Sequence, residues 1–295
     1  GDHYIAADNR LYEVEKTLGD VVYVNYLETI ELPQISKELL ATQVTKAKSQ
    51  GVVGIYHTHN AESYVPTSGT ESKDDGQGDV LEVGKALASG LEKAGITVYW
   101  SGNSHLPHDG QAYLRSRRTA TELLKKGPDT LIDVHRDATP PEVYATEIEG
   151  VPATKVRIVV GRQNQNRSAN LEYAKRIKAV SDEVYPGIIE GIFDARGNYN
   201  QDLGPKMILL EFGAHTNPLE QAEQVLPAAA GLTSNERAGA EKQIGGAAGR
   251  SLLWLLAIVV IGGLGFLVID QGKIGSLTGF FRREAGLGRK DQDDA

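Results

Sequence analysis

Three short stretches hold the residues whose types and spacing could do chemistry. They are His57, His59 and Glu62; His135 and Arg136; and Glu211. Each follows an apolar run: Val52-Val53-Gly54-Ile55-Tyr56, Thr130-Leu131-Ile132-Asp133-Val134 and Met207-Ile208-Leu209-Leu210. Apolar run, then polar residue, reads as a strand with a functional group at its carboxyl end. In an open α/β sheet such ends share an edge, and ligands collect there. His59 and Glu62 stand three apart, so one helical turn puts both on one face. Imidazole and carboxylate suit zinc, and a catalytic zinc takes three protein ligands and keeps a fourth position for water. His57 is the alternative to His59. Glu211 follows four consecutive apolar residues, so it is expected to be buried, and a buried carboxylate is costly unless paired or metal-linked. Each group also has a plain structural role open to it: a hydrogen-bonded histidine for His135, a salt bridge to Asp133 or Asp137 for Arg136. His105 and His108 fall in a proline-containing loop and are expected to be exposed. His215, four residues past Glu211, is placed to line the same pocket.

The elements that must position these groups alternate. From about residue 51 to 226 the pattern runs strand, helix, strand, helix. Helices are expected over Val80–Ala94, with Asp79 as its cap and Gly95 as its stop, over Arg115–Lys126, over Asn170–Val184 and from Leu219. Further strands are expected at Ile96–Trp100 and Lys155–Val160. This alternation predicts an α/β fold built on a mostly parallel twisted sheet with helices on both faces. Residues 1–48 read as an N-terminal extension or stalk, with short strands at Asp20–Val24 and Tyr26–Ile30 and a helix over Ile35–Ala47. The expected division is therefore extension 1–48, catalytic domain 49–227, linker 228–250, membrane span 251–270 and tail 271–295.

The span is expected from Leu252 to Ile269, eighteen residues without a charge, bracketed by Arg250 and Asp270. As a helix they would run roughly 27 Å, close to the hydrocarbon thickness of a bilayer. The basic residues after it slightly outnumber those before it, favouring a cytoplasmic C-terminus. Net charge of −8 over 295 residues argues against a general nucleic-acid binder. The chain has no cysteine, which excludes disulfides, thiolate metal sites and a cysteine nucleophile together. It starts at Gly1 and its one methionine is Met207, so a targeting segment is expected to have been removed.

Tyr56-His57-Thr58-His59-Asn60-Ala61-Glu62-Ser63-Tyr64, Asp133-Val134-His135-Arg136-Asp137 and Leu210-Glu211-Phe212-Gly213 resemble the stage II sporulation protein P family over roughly residues 50–226. The resemblance implies a zinc-dependent N-acetylmuramoyl-L-alanine amidase fold acting on peptidoglycan, with endopeptidase activity also described for members. It implies two partners as well, a lytic transglycosylase and a membrane scaffold protein. Carried over, His59 or His57 is the first zinc ligand, Glu62 the second, His135 the third and Glu211 the base. General amidases take their glutamate ligand from further along the chain, where Glu71, Asp74, Asp75 and Glu82 stand. Glu82 is thus the alternative to Glu62. Family members carry their anchor before the catalytic domain, whereas the apolar run here follows it.

The expected protein is a membrane-anchored peptidoglycan amidase using Zn2+, with the catalytic domain on the extracytoplasmic side. Arg136 would stabilise the oxyanion or hold a substrate carboxylate. The alternatives are a zinc endo- or carboxypeptidase on stem peptides and a non-catalytic, membrane-anchored wall-binding module.

Overall fold

The computed structural model describes residues 1–19, 21–35, 51–148 and 150–226. Three strands open the chain, β1 (His3–Ala6), β2 (Arg10–Leu18) and β3 (Val21–Thr29). Then come β4 (Val52–Tyr56), a short helix α1 (Val65–Ser68), α2 (Val80–Lys93), β5 (Thr97–Trp100), α3 (Ala112–Leu124) and β6 (Thr130–Asp137). A small hairpin, β7 (Ala145–Ile148) and β8 (Val151–Thr154), precedes β9 (Val156–Gly161), α4 (Arg167–Val184), β10 (Ile189–Ala195), β11 (Met207–Ala214) and α5 (Leu219–Gln224).

Nine strands form one sheet in the order β3-β2-β1-β10-β9-β11-β6-β4-β5. It is a mixed sheet, which corrects the expectation of a mostly parallel one. Parallel pairs join β4 to β5 and β6, β6 to β11, and β9 to β10. Antiparallel pairs join β9 to β11 and carry the sheet outward through β10, β1, β2 and β3. A buried strand is an apolar run whichever way it points, so the sequence pattern could not show that β9 runs against β11. Residues 1–29, read from the sequence as an extension, add three strands to the same sheet. Most of the helix expected over residues 35–47, the linker and the span expected over 251–270 lie outside the described residues. Among the described residues no helix is long and apolar enough to cross a membrane.

Strand alternation divides the core. Ile132, Val134, Ile208 and Leu210 face α2 and α4, where Val83, Leu87, Leu91, Ala174 and Ile177 pack against them. The intervening positions, Leu131 and Met207, face Ala120 and Leu123 of α3. Helices therefore cover both faces, as expected. Asp133, His135 and Glu211 share the α3 side by the same alternation. Asp79 does not cap α2 with its side chain. Its carboxylate instead takes hydrogen bonds from the Tyr64 backbone N–H, Ser68 and Lys73.

Candidate active site

The site is built from the ends of three neighbouring strands, β4, β6 and β11. The loop after β4 is held by its own polar groups. Thr58 donates its N–H to Asp133 Oδ1 at 2.8 Å and its hydroxyl to Asp133 Oδ2 at 2.6 Å. Asn60 donates to the Gly76 carbonyl at 2.7 Å and accepts the His105 N–H at 2.7 Å. The Glu62 N–H donates to the His59 carbonyl at 3.0 Å, closing the turn that puts the two side chains together. Gly78 passes so close that a Cβ there would lie 2.3 Å from the Glu62 carbonyl oxygen, so only glycine fits.

Glu62 is the hub. Its Oε1 stands 3.3 Å from His59 Nδ1 and 3.9 Å from His108 Nε2. Its Oε2 stands 3.4 Å from His135 Nδ1 and accepts the Arg136 N–H at 3.2 Å. Burial pushes its carboxyl up, but His135, His59 and Arg136 outweigh burial and hold it well below the usual range. His135 lies between two carboxylates, with Nε2 2.9 Å from Asp133 Oδ1 but not aligned as a hydrogen bond. Burial opposes charge on this ring, yet Asp133 and Glu62 together raise its pKa well above the ordinary value. Glu211, on the rung beside His135, is pushed up to about 8, first by burial and then by Glu62 and Asp137. Its Oε2 is buried with no hydrogen-bond partner.

His59, Glu62 and His108 each offer a ligand atom within 4.8 Å of the others. This set shares His59 and Glu62 with the sequence reading but takes His108 where that reading had His135. His108 was expected to be exposed. Its ring is 28% exposed yet reaches the cluster, with its centroid 4.6 Å from that of His59. No signal in its own neighbourhood marks it, because its approach depends on how the 104–109 loop is folded. His105, also expected to be exposed, is buried and ties that loop to the His57 carbonyl and to Thr119.

The alternatives left open in the sequence separate here. His57 is buried on the other side of β4, where Nδ1 donates to the Val134 carbonyl and Nε2 accepts the Trp100 indole N–H, both at 3.1 Å. Desolvation lowers its pKa to about 4, so it is a neutral structural residue. Glu82 lies in the first turn of α2 and pairs with Lys85 at the surface, 2.8 Å away. Arg136 is 8% exposed and pairs with neither Asp133 nor Asp137. Its guanidinium braces the loop instead, donating to the carbonyls of Ser63 and Glu71. Asp137 is bound by Arg157 and Tyr144. His215 bonds through its backbone to Asp137 and Val65, and its ring is not part of the cluster. Tyr113 of α3 was not singled out from the sequence. It packs edge-on to His59 and parallel to His135, with ring centroids 5.3 and 6.3 Å apart.

Residues 13–232 match the family model for stage II sporulation protein P, three quarters of the chain. The chain belongs to the stage II sporulation protein P family. It is 34% identical over 209 residues to stage II sporulation protein P of Bacillus subtilis, an alignment covering 65% of this chain and 52% of that protein. The chain thus spans about half the length of the curated relative it matches. Among solved structures it is similar to Ami1, the N-acetylmuramyl-L-alanine amidase of Mycobacterium smegmatis, at 14% identity and a TM-score of 0.41, covering 74% of this chain and 98% of that one. It is also similar to the CwlD amidase of Clostridioides difficile, solved with the GerS lipoprotein, at 14% identity and a TM-score of 0.39, covering 75% and 100%. Likenesses that distant say nothing about the chemistry of this stage II sporulation protein P family member.

Proposed function

We propose that this chain is a zinc-dependent N-acetylmuramoyl-L-alanine amidase. Its substrate would be peptidoglycan, cut between the lactyl group of N-acetylmuramic acid and the L-alanine of the stem peptide during sporulation. Family membership supports the setting. The observation that carries the chemistry is the buried Glu211 Oε2, without a hydrogen-bond partner, beside a cluster of imidazoles around Glu62.

The residues present fit a zinc ion. His59 Nε2 is a second buried polar atom without a partner, and nitrogen and carboxylate oxygen donors are those zinc takes in hydrolases. His59 and Glu62 would hold it, with His135 as the third ligand in the arrangement the family resemblance implies. Bound there, zinc would lower the pKa of a water molecule and polarise the scissile carbonyl. Glu211 takes the water's proton and delivers it to the leaving amine; its carboxyl lies at about 8 in the metal-free site, and a cation bound beside it would lower that value so that it starts as the carboxylate. Arg136 supports this at one remove, by holding Glu62 and the Ser63–Glu71 loop in place. Tyr113 walls the site from the α3 side.

Under this reading the apolar run 252–269 anchors the protein and sets the catalytic domain on the wall side of the membrane. A lytic transglycosylase and a membrane scaffold protein are its proposed partners, as the family resemblance implies.

The test is to incubate the full chain with purified peptidoglycan, with zinc or with chelator, beside Glu211→Gln, and read the products by mass spectrometry. Free stem peptides beginning at L-alanine, absent with chelator and in the variant, are the expected result. Cut peptides still attached to glycan would make it a zinc peptidase, and no product under any condition would overturn the assignment.

A further inference from the structure

Two residues before Glu211 and on the same face of the sheet, Leu209 of β11 pairs with Val159 of β9, Val159 with Phe193 of β10, and Phe193 with Tyr4 of β1. Strands stand about 4.8 Å apart, so this apolar row runs roughly 14 Å outward from beside Glu211. α3 packs against β4 and β6, and the row continues past it. Val159, Ala195 and Leu209 form a buried floor, on which Tyr113, Phe193 and Tyr199 stand partly exposed. Tyr199, from the loop after β10, is held there under strain. It and Asn200 take positive φ, +54° and +58°, which a bulky side chain rarely adopts. Asn200 secures the turn by donating its side-chain amide to the Tyr113 carbonyl and to Ser116 Oγ, both at 3.0 Å. Two glycines leave room for the Tyr199 ring: a Cβ on Gly161 would lie 3.0 Å from it, and one on Gly197 2.8 Å. The ring meets Tyr113 edge-on with centroids 5.3 Å apart, and Tyr113 in turn packs on His59 and His135. Strain of this kind is kept where function needs the geometry.

We propose that Tyr199, with Tyr113 and Phe193, forms the subsite for the sugar side of the substrate, so that the N-acetylmuramic acid ring and the glycan strand behind it lie along the row from Leu209 towards Tyr4. This rests on the amidase reading for the identity of the sugar. A pyranose ring presents an apolar C–H face and a rim of hydroxyls, and tyrosine answers with an apolar face and a polar tip. The scissile amide joins glycan to peptide beside Glu211, so the glycan has to extend from the site across one flank of the sheet. Towards β4 the site is bounded by the 104–109 loop, which Arg115 ties down through the carbonyls of His105 and Pro107 and Asn60 through the His105 N–H. Towards β9 and β10 lies the aromatic row.

The full chain is titrated with a tetramer of β-1,4-linked N-acetylglucosamine, which has no bond between sugar and peptide to cut, and binding is followed by saturation-transfer NMR. Release of stem peptides from purified peptidoglycan is measured beside it. The panel is wild type, Tyr199→Asn, Tyr199→Phe, Phe193→Ala and, as a control on β3, Tyr23→Ala, with folding checked by thermal melting. Asparagine tolerates positive φ, so Tyr199→Asn removes the ring and keeps the turn. Phe193→Ala probes the same row without touching the turn. Expected are tetramer binding in wild type, weakening of about 10-fold or more in Tyr199→Asn and Phe193→Ala, and retention in Tyr199→Phe and Tyr23→Ala. On peptidoglycan, Tyr199→Asn should raise KM by about 10-fold and leave kcat within about 3-fold, the mark of lost binding rather than lost chemistry. No tetramer binding in wild type, or equal binding in Tyr199→Asn and Phe193→Ala, would overturn the subsite, and the amidase reading would stand on stem-peptide release. Loss in Tyr199→Asn of affinity for a free stem peptide, with the tetramer bound as before, would place peptide on the row and overturn it too. Tetramer binding that depends on Tyr199 without stem-peptide release from wild type would uphold the subsite and sink the amidase reading.

Discussion

Glu211 and His135 are direct register partners on adjacent parallel strands, so carboxyl and imidazole rise from one rung of the sheet on the same face. Neither side chain can drift relative to the other without shifting β6 against β11. Replacing Glu211 by Gln keeps the shape and removes the carboxyl that the proposed mechanism uses to carry the proton. Hydrolysis should fall by about 10²–10⁴-fold while zinc affinity changes by only a few-fold. Steady-state rates beside a metal titration check this, and parallel loss of both would show Glu211 acting on the metal instead.

The same residue predicts a pH effect on the metal-free protein. Its carboxyl is raised from 4.5 to about 8 in the folded state, so the folded chain keeps a proton that the unfolded chain gives up. Stability should therefore decline as pH rises from about 4.5 to 8, by on the order of a few kcal/mol from this group. Denaturation midpoints in chelator across that range should slope downward in wild type and flatten in Glu211→Gln.

His57 predicts the opposite slope at lower pH. Its folded pKa of about 4 lies below the ordinary 6.5, so the unfolded chain takes up the proton first. The stability it supplies is present above pH 6.5 and lost as pH falls towards 4. Its partner in packing is Gly84, where an added Cβ would lie 2.3 Å from the imidazole. Gly84→Ala should cost about 1–3 kcal/mol by overpacking, read as a drop in melting temperature.

How much of this was legible in the sequence differs by element. The strand ends at His59, His135 and Glu211 were legible because a buried strand makes an unmistakable apolar run, and a polar group closing it has few places to go. The separation of His57 from His59 was not, because it depends on Trp100, forty-three residues away, accepting the job of hydrogen-bonding one of two similar rings. His108 stayed hidden for a related reason: loop position is decided by tertiary ties such as Arg115, which leave no periodicity. β3 was legible as two short strands, β1 and β2 were not, and the pairing of β1 to β10 near the other end of the domain is a long-range fact that local pattern does not carry.

Arg136 gives the sharpest distinction between bracing and chemistry. Its guanidinium holds the Ser63 and Glu71 carbonyls, and Lys cannot reproduce two directed contacts from one planar head. Arg136→Lys should weaken zinc binding by about 10–100-fold and lower the melting temperature. An oxyanion role would instead lower kcat with zinc affinity unchanged, and the two measurements together decide.

Asp133 is buried with Thr58 bonded to both of its oxygens, and it faces His135 as well. Asp133→Asn leaves the Thr58 hydroxyl, the Thr58 amide and an imidazole competing for one acceptor. A cost of about 2–4 kcal/mol is expected in chemical denaturation.

The place of β11 in the sheet governs when the protein can become active. It is the last strand in chain order among the described residues, yet it lies in the interior, joining β6 on one side to β9 on the other. Until Met207–Ala214 has been synthesised and inserted, the β4–β5–β6 half and the half carrying β9, β10 and β1–β3 have no common seam, and Glu211 itself does not yet exist. A nascent chain therefore carries its imidazoles early and its base late. Under the proposed hydrolase reading, a partly made molecule would have no means to cut, and the order of the strands would make completion of the fold a precondition for activity.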